Sequence, residues 1–301
     1  MRWLYHVVRT AELPTVPNRD YAPASLATEG FVHCSYQPLV RESAELYFRG
    51  GEALSVLRID PRRLDVNVDV ASTPRGPMPH VHGPIPADAI REVIPVAAAE
   101  RAPDLVRGTH FGFVAFRGMT LLDLVGVHDA IARIGRAKLD ESARFSFASA
   151  TEDVWEEHGA RFDAGYVRPE LADVDVLVVP GGLGTRTLVS DPVVIEWLAT
   201  HPANRLKASV CTGALLLGAA GHLAGHRATT HASATGDLAK YGAVHEARRV
   251  VHDRARISGG GVTAAIDVGL HVVRTFHGEE AAAAIATQME WRIGDEENRR
   301  G

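Results

Sequence analysis

Two textures of hydrophobic patterning divide this chain. Residues 1–97 carry short β-like apolar runs at 3–8, 54–59 and 90–96, separated by turns rich in proline and glycine. From His110 onward, continuous apolar runs alternate with stretches of helical period, the signature of a parallel α/β sheet. FGFVAF (111–116) is apolar throughout, as a strand buried on both faces is. TLLDLVGVHDAIARI (120–134) then has the spacing of a helix. Further strands are expected in ARFSFASA (143–150), in VDVLVVPGGLG (174–184), which ends in a glycine loop, and in LKASV (206–210). TGALLLGAAG (212–221) reads as a helix closed by Gly221, RATTH (227–231) as a short strand, and 262–276 and 278–291 as helices. The expected division is a small α+β domain over 1–97, a charged linker over 98–109, an α/β domain over 110–293 and a frayed tail over 294–301.

Composition narrows the function classes. Of 301 residues, 46% are hydrophobic and 23% charged, enough for a substantial core. A net charge of −5 without a basic stretch gives no reason to expect a nucleic-acid partner. Two cysteines far apart, Cys34 and Cys211, do not make a disulfide framework or a cysteine metal site. Cys34 is expected in the core. The opening MRWLYHVVRT is too broken for a signal peptide, and no run approaches the roughly 18 apolar residues of a membrane span. A soluble cytoplasmic protein acting on a small molecule, with no membrane partner, is the expectation.

Parallel α/β sheets bind ligands outside the C-terminal ends of their strands. Four stretches fall at such ends: Asp123, Gly181-Gly182, Cys211 and His231. Cys211 sits between an apolar strand and a helix with small residues after it. That pattern suits a nucleophile on a tight turn, and it equally suits a buried core thiol. As a nucleophile, Cys211 is expected to favour thiolate at a helix N-terminus, with Thr212 and loop N–H groups near Gly182 receiving developing negative charge. Asp123 is either the far half of a capping box with Thr120 or an acid sharing a proton with Cys211. Gly181-Gly182 can be a plain turn, and it does not fit a dinucleotide fingerprint. His231 can satisfy a strand end or tune Cys211. His245 and His252 are expected on a surface hairpin, and leucines 215–217 as the packing face of their helix.

These stretches together resemble the ThiJ/PfpI superfamily, and within it the isonitrile hydratase branch. The matching residues are FVAFRGMTLLDLVGVHDA, VDVLVVPGGLG, ASVCTGALLLGAAGHLAGHRATTHA and ISGGGVTAAIDVGL, in the family's order. The resemblance implies a flavodoxin-like parallel-sheet sandwich of the class I glutamine amidotransferase-like kind and a homodimer. It assigns Asp123 as acid/base, Cys211 as nucleophile and Thr212 beside it, with Gly181, Gly182 and His231 in support. It implies addition of water to an isonitrile, giving an N-substituted formamide without metal or organic cofactor. Covalent thioimidate and direct water attack both remain open. Val127 and Ala232 stand where the branch has Pro and Trp, which bears on the substrate. Other thiol chemistry, of glyoxalase or deglycase kind, and a non-catalytic binding module are the alternatives. Similar domains form part of some transcription regulators, but only ten residues follow Trp291, so no DNA-binding helix pair is expected there.

MRWLYHVV, SLATEGFVHCS (25–35) and MPHVHGPI (78–85) resemble a bacterial domain of unknown function, the 952 family. That resemblance implies an α+β split sheet similar to ADP-ribosyltransferase-like domains. Its recurring residues fall on His6, Ser25, His33, Ser35 and His80, with His82 where tyrosine is common. They form either a cleft for a phosphate or nucleotide, or a set of polar groups satisfying buried backbone.

Overall fold

The computed structural model describes residues 1–13 and 19–292, so Ile293 and the tail expected over 294–301 lie outside the described residues. The chain forms two compact units, Met1–Val106 and Arg107 onward.

Among the described residues, six strands build the first unit: β1 (Leu4–Arg9), β2 (Val32–His33), β3 (Leu54–Ile59), β4 (Val68–Thr73), β5 (Gly76–Val81) and β6 (Ile90–Pro95). They form two antiparallel sheets of order β1-β3-β6 and β2-β5-β4. Helices α1 (Ala24–Glu29), α2 (Val40–Tyr47) and α3 (Val96–Ala99) accompany them. The period of two along β1 sorts its side chains between two cores. Leu4 and Val8 join Val32, Leu57 and Ile59, whereas Tyr5 and Val7 join Val40, Val56 and Ala99. His6 falls in step with Leu4 and Val8 and is buried. Cys34 is buried in the first of these clusters.

Residues 98–106 differ from the linker reading. Ala99 is fully buried, the Tyr5 hydroxyl donates to Pro103 O at 2.5 Å, and Trp3 N–H donates to Asp104 O at 2.9 Å. Small apolar side chains and an Arg2–Asp104 ion pair hold this charged stretch on the first unit.

The second unit contains a seven-stranded sheet of order β14-β15-β11-β10-β7-β8-β9, all parallel except β14. Its strands are β7 (His110–Ala115), β8 (Arg144–Ser149), β9 (Tyr166–Val167), β10 (Val176–Val179), β11 (Leu206–Val210), β14 (Val250–Asp253) and β15 (Arg256–Gly259). β12 (Arg227–Ala228) and β13 (Val244–His245) form a separate pair. The helices are α4 (Leu121–Arg136), α5 (Thr185–Leu188), α6 (Pro192–Ala199), α7 (Gly213–Ala219), α8 (Thr235–Leu238), α9 (Ala264–His277) and α10 (Glu279–Gln288). β7, β10 and β11 are buried at nearly every position, as strands covered on both faces are. Lys207 is tolerated in β11 because its ammonium donates to the carbonyls of Pro202, Ala203 and Arg205.

Three local readings change. All of Gly213 to Gly218 is buried, so leucines 215–217 pack in every direction rather than along one face. Only Arg227 and Ala228 of RATTH are paired as strand, because Thr229 N–H donates to Ser258 Oγ instead of to a ladder carbonyl. His245 and His252 do not share one hairpin: His252 lies half-buried on the antiparallel β14–β15 edge hairpin, with its Nδ1 3.0 Å from His271 Nε2, whereas His245 lies on β13 beside β12. Among the described residues, no helix is long and apolar enough to cross a membrane.

Candidate active site

After β7 the chain runs outward to β8 and β9, and after β10 it runs the other way to β11 and β15. The crevice beyond β7 and β10 is therefore the topological switch point, where such sheets open for ligands. Three loops meet there: 116–120 after β7, 180–184 after β10, and Cys211-Thr212 after β11.

Cys211 occupies the left-handed region with φ +55°. A side chain pays about 1–2 kcal/mol for that conformation. Two bonds hold it in place: Cys211 N–H donates to Gly259 O at 3.0 Å, and Thr230 Oγ1 donates to Cys211 O at 2.8 Å. Close approach by two glycines completes the turn. A Cβ on Gly213 would lie 2.2 Å from Val179 O, and one on Gly181 would lie 2.6 Å from Thr212 N and 2.8 Å from Cys211 Cβ.

Asp123, in the first turn of α4, has no solvent exposure (0%), and Cys211 has 7%. Asp123 Oδ2 accepts the Gly181 N–H at 2.9 Å, and Oδ1 is buried without a hydrogen-bond partner among the described residues. The Cys211 thiol acts on that carboxyl directly. Burial is the main cause that raises Asp123 to about 7, opposed by the Gly181 N–H and the Cys211 thiol and reinforced by Glu157. The thiol is likewise pushed up, to about 11, first by burial and then by the Asp123 charge.

That last value reverses the thiolate expectation. The N–H and hydroxyl of Thr212 do favour the anion, but burial and a neighbouring carboxylate outweigh them. Between about 7 and 11 the pair holds one proton. The capping box also fails to form. Thr120 makes no side-chain cap; its hydroxyl donates to Glu157 Oε1 at 2.9 Å and its N–H to Gly181 O at 2.8 Å. The loop amides expected to receive negative charge are engaged already. Gly181 N–H serves Asp123, Gly182 N–H serves Thr212 Oγ1, and Gly184 N–H serves Gly118 O. Thr212 N–H is the amide left beside the sulfur. The Thr212 hydroxyl is itself tied to the loop, accepting from Thr185 Oγ1 at 2.9 Å.

His231 does not tune the thiol. Its Nδ1 accepts the Ser233 N–H at 3.2 Å and lies 2.9 Å from Ser233 Oγ, whereas its neighbour Thr230 is the residue that reaches Cys211. Glu157 also belongs to the site, and nothing in the sequence marks it. This residue lies in an irregular stretch, and its place is set by a single isolated bridge, Met119–Glu156, which no local pattern announces. Glu157 Oε1 accepts from Thr120, and its N–H donates to Met119 O at 3.0 Å. The route Glu157–Thr120–Gly181–Asp123 is thus a continuous chain of hydrogen bonds.

In the first unit, His33 and His80 are register partners with ring centroids 5.4 Å apart. His6 is not with them: its ring is committed to His33 O at 2.7 Å and the Tyr21 hydroxyl at 3.0 Å inside the core. Ser35 is buried against Ser43 Oγ at 2.9 Å, and Ser25 lies on α1. Burial pushes the Cys34 thiol up to about 12, consistent with a packing role.

Two outcomes follow from this geometry. The folded state keeps the Asp123 proton up to about 7, whereas an unfolded carboxyl releases it near 3.8. Stability is therefore lost as pH rises through that window, by about 4 kcal/mol at most. Asp123→Asn is expected to raise the melting temperature at pH 8, by about 5 °C or more, and to give little or no gain at pH 4. Thermal melts at both values check this; equal shifts at both would refute it. Gly181→Ala is expected to lower the melting temperature and to accelerate alkylation of Cys211, since its Cβ must push Cys211 and Thr212 aside. Iodoacetamide labelling followed by mass spectrometry reads that exposure.

Residues 112–275 match the DJ-1/PfpI family, and residues 8–93 match the family described as Protein of unknown function (DUF952). The chain is 33% identical over 181 residues to an isonitrile hydratase of Pseudomonas putida, covering 60% of this chain and 77% of that protein. It is 27% identical over 191 residues to the HTH-type transcriptional regulator GbdR of Pseudomonas aeruginosa, covering 62% of this chain and 52% of the regulator. A solved ThiJ/PfpI family protein from Pseudomonas syringae superposes with a TM-score of 0.55 at 32% identity, covering 62% of this chain and 76% of that one. With its flavodoxin-like, mostly parallel sheet and its match to the family over more than half its length, the chain belongs to the DJ-1/PfpI family.

Proposed function

We propose that the second unit hydrates isonitriles to N-substituted formamides. The observation that carries this reading is the Asp123–Cys211 pair: a fully buried carboxyl that retains its proton near neutral pH, directly beside a thiol on a strained turn. An isonitrile, R–N≡C, is unreactive to weak nucleophiles until an acid protonates its terminal carbon. A carboxyl raised to about 7 is such an acid at physiological pH, where an ordinary aspartate is not. The 33% identity to the Pseudomonas putida isonitrile hydratase supports the same choice.

Asp123 donates its proton to the isonitrile carbon, giving a nitrilium. Cys211 sulfur forms a bond to that carbon while its own proton passes to the Asp123 carboxylate, leaving a thioimidate, R–N=CH–S. Asp123 protonates the imine nitrogen, and a water adds to the carbon as its proton returns to the carboxylate. The C–S bond then breaks, the hydroxyl proton moves to sulfur by way of Asp123, and R–NH–CHO leaves. The net change is addition of one water. Because Cys211 resists ionisation, the thiol stays protonated until the electrophile is formed, and the carboxyl works as both acid and base.

Cyclohexyl isocyanide with the full chain is expected to yield N-cyclohexylformamide, read by mass spectrometry. Cys211→Ala and Asp123→Asn are expected to lower kcat by about 10³-fold or more. Turnover retained in both variants, or turnover of methylglyoxal without any of the isonitrile, overturns the reading. A second outcome concerns pH. Activity is expected to fall as pH rises through about 7, when Asp123 loses its proton. Glu157→Gln removes a charge that raises Asp123, so the falling limb is expected to move to lower pH. A limb that stays in place assigns Glu157 to loop geometry alone.

A further inference from the structure

We infer that the first unit carries a second binding site, for a phosphate-bearing planar ring such as a nucleotide, on the outer face of β2 and β5. The alternation of β2 and β5 fixes which side chains stand there. Val32 and Val81 face the core, so their neighbours His33 and His80 face outward. Asp69 of β4 pairs with His80 and shares that face. His82, two residues beyond His80, continues the same side.

Aromatic groups gather on this face in an unbroken row. Phe31 stacks on His80 with centroids 4.0 Å apart and planes at 16°. Phe31 lies 5.6 Å from the His82 ring, and His33 lies 6.1 Å from the Tyr47 ring. Arg75 closes the row: its guanidinium sits 5.4 Å over the Tyr47 ring, donates to the Tyr47 hydroxyl at 3.0 Å and to Ser43 Oγ at 3.4 Å, and lies 3.8 Å from Glu42 Oε1 across a half-exposed edge. Tyr47 is 56% exposed, a large aromatic surface left uncovered at the end of α2. Stacked flat rings beside an arginine fork are what a planar heterocycle with a phosphate requires.

The fold leaves part of the hydrogen-bonding capacity of these imidazoles unspent. Glu29 Oε2 lies 2.9 Å from His33 Nε2, and Asp69 Oδ2 lies 3.0 Å from His82 Nε2, so each ring is oriented by a carboxylate and its Nδ1 is left over. Neither ring nitrogen of His80 has a hydrogen-bond partner among the described residues. His6 shows the contrast, with both nitrogens spent inside the core. Burial and the neighbouring imidazoles hold His80 below the ordinary histidine range, although Asp69 and Glu29 oppose that. Among the described residues no group of three or more histidine, cysteine, aspartate or glutamate side chains is arranged to hold a metal ion.

Calorimetric titration of the full chain with adenosine 5′-monophosphate, adenosine and inorganic phosphate tests this. Saturable binding of the monophosphate is expected, with adenosine and phosphate each weaker by about tenfold or more. Arg75→Gln is expected to reduce the monophosphate to the affinity of adenosine, and His80→Gln to weaken both. Cys211→Ala is expected to bind as the wild type does. Imidazole ¹⁵N resonances of His33, His80 and His82 in the wild-type protein are expected to shift on addition, a readout that needs no variant to fold. No saturation up to about 10 mM, binding that leaves those three rings unmoved, or equal affinity for phosphate and the monophosphate overturns the inference.

Discussion

The second unit depends on one backbone constraint: a residue with a side chain must stand in the left-handed region at the end of β11. Cys211 does so at φ +55°, and neighbouring features serve to keep it there. Gly259 O and Thr230 Oγ1 pin its two backbone groups. Gly181 and Gly213 give up their side chains so that the loops after β10 and β11 can touch. The cost, about 1–2 kcal/mol, is spread over a sheet buried on both faces. The result is a thiol aimed out of the sheet toward α4, where the first turn supplies Asp123.

Burial then sets the chemistry. An exposed thiol at the start of a longer helix would lean toward thiolate, and the seven residues of α7 supply little dipole to offset desolvation. The loop's own N–H groups are already engaged with Asp123, Thr212 and Gly118, so they stabilise the loop rather than a free anion. What remains is a pair that burial keeps protonated, in which the Asp123 charge makes the thiol still harder to ionise while the thiol's hydrogen bond only partly offsets the burial of the carboxyl. Such a pair is poor at attacking a carbonyl without help, and well suited to an electrophile that must first accept a proton.

Much of this was legible in the sequence, and the limits have physical causes. Strand ends announce themselves because an apolar run stops at glycine or at a small residue, and that pattern alone groups Asp123, Gly181 and Cys211. A capping box and a catalytic acid are written with the same residues, TLLD, and only the destination of the Thr120 hydroxyl separates them. Glu157 left no trace because a carboxylate in an irregular segment owes its position to one long-range bridge. His231 and Thr230 are adjacent, and which of them faces Cys211 depends on where a strand two residues long ends. A helix N-terminus is visible in sequence, whereas the depth of burial that sets the sign of the thiol's shift is not.

The first unit makes the same point with histidines. His6, His33 and His80 are chemically identical and recur in similar short runs, yet alternation assigns them opposite duties. His6 lies in step with Leu4 and Val8, so its ring is inside, and burial lowers its pKa while its nitrogens are taken by His33 O and Tyr21. His33 follows Val32 by one residue and is therefore outside, facing His80 across the ladder. A one-residue slip of β2 against the core would exchange these roles, bringing His33 inward and leaving the His6 ring without its carbonyl partner. The buried bond from His6 to the His33 carbonyl thus fixes the register that presents the outer imidazoles. The interior histidine is part of the reason that an exterior cluster exists.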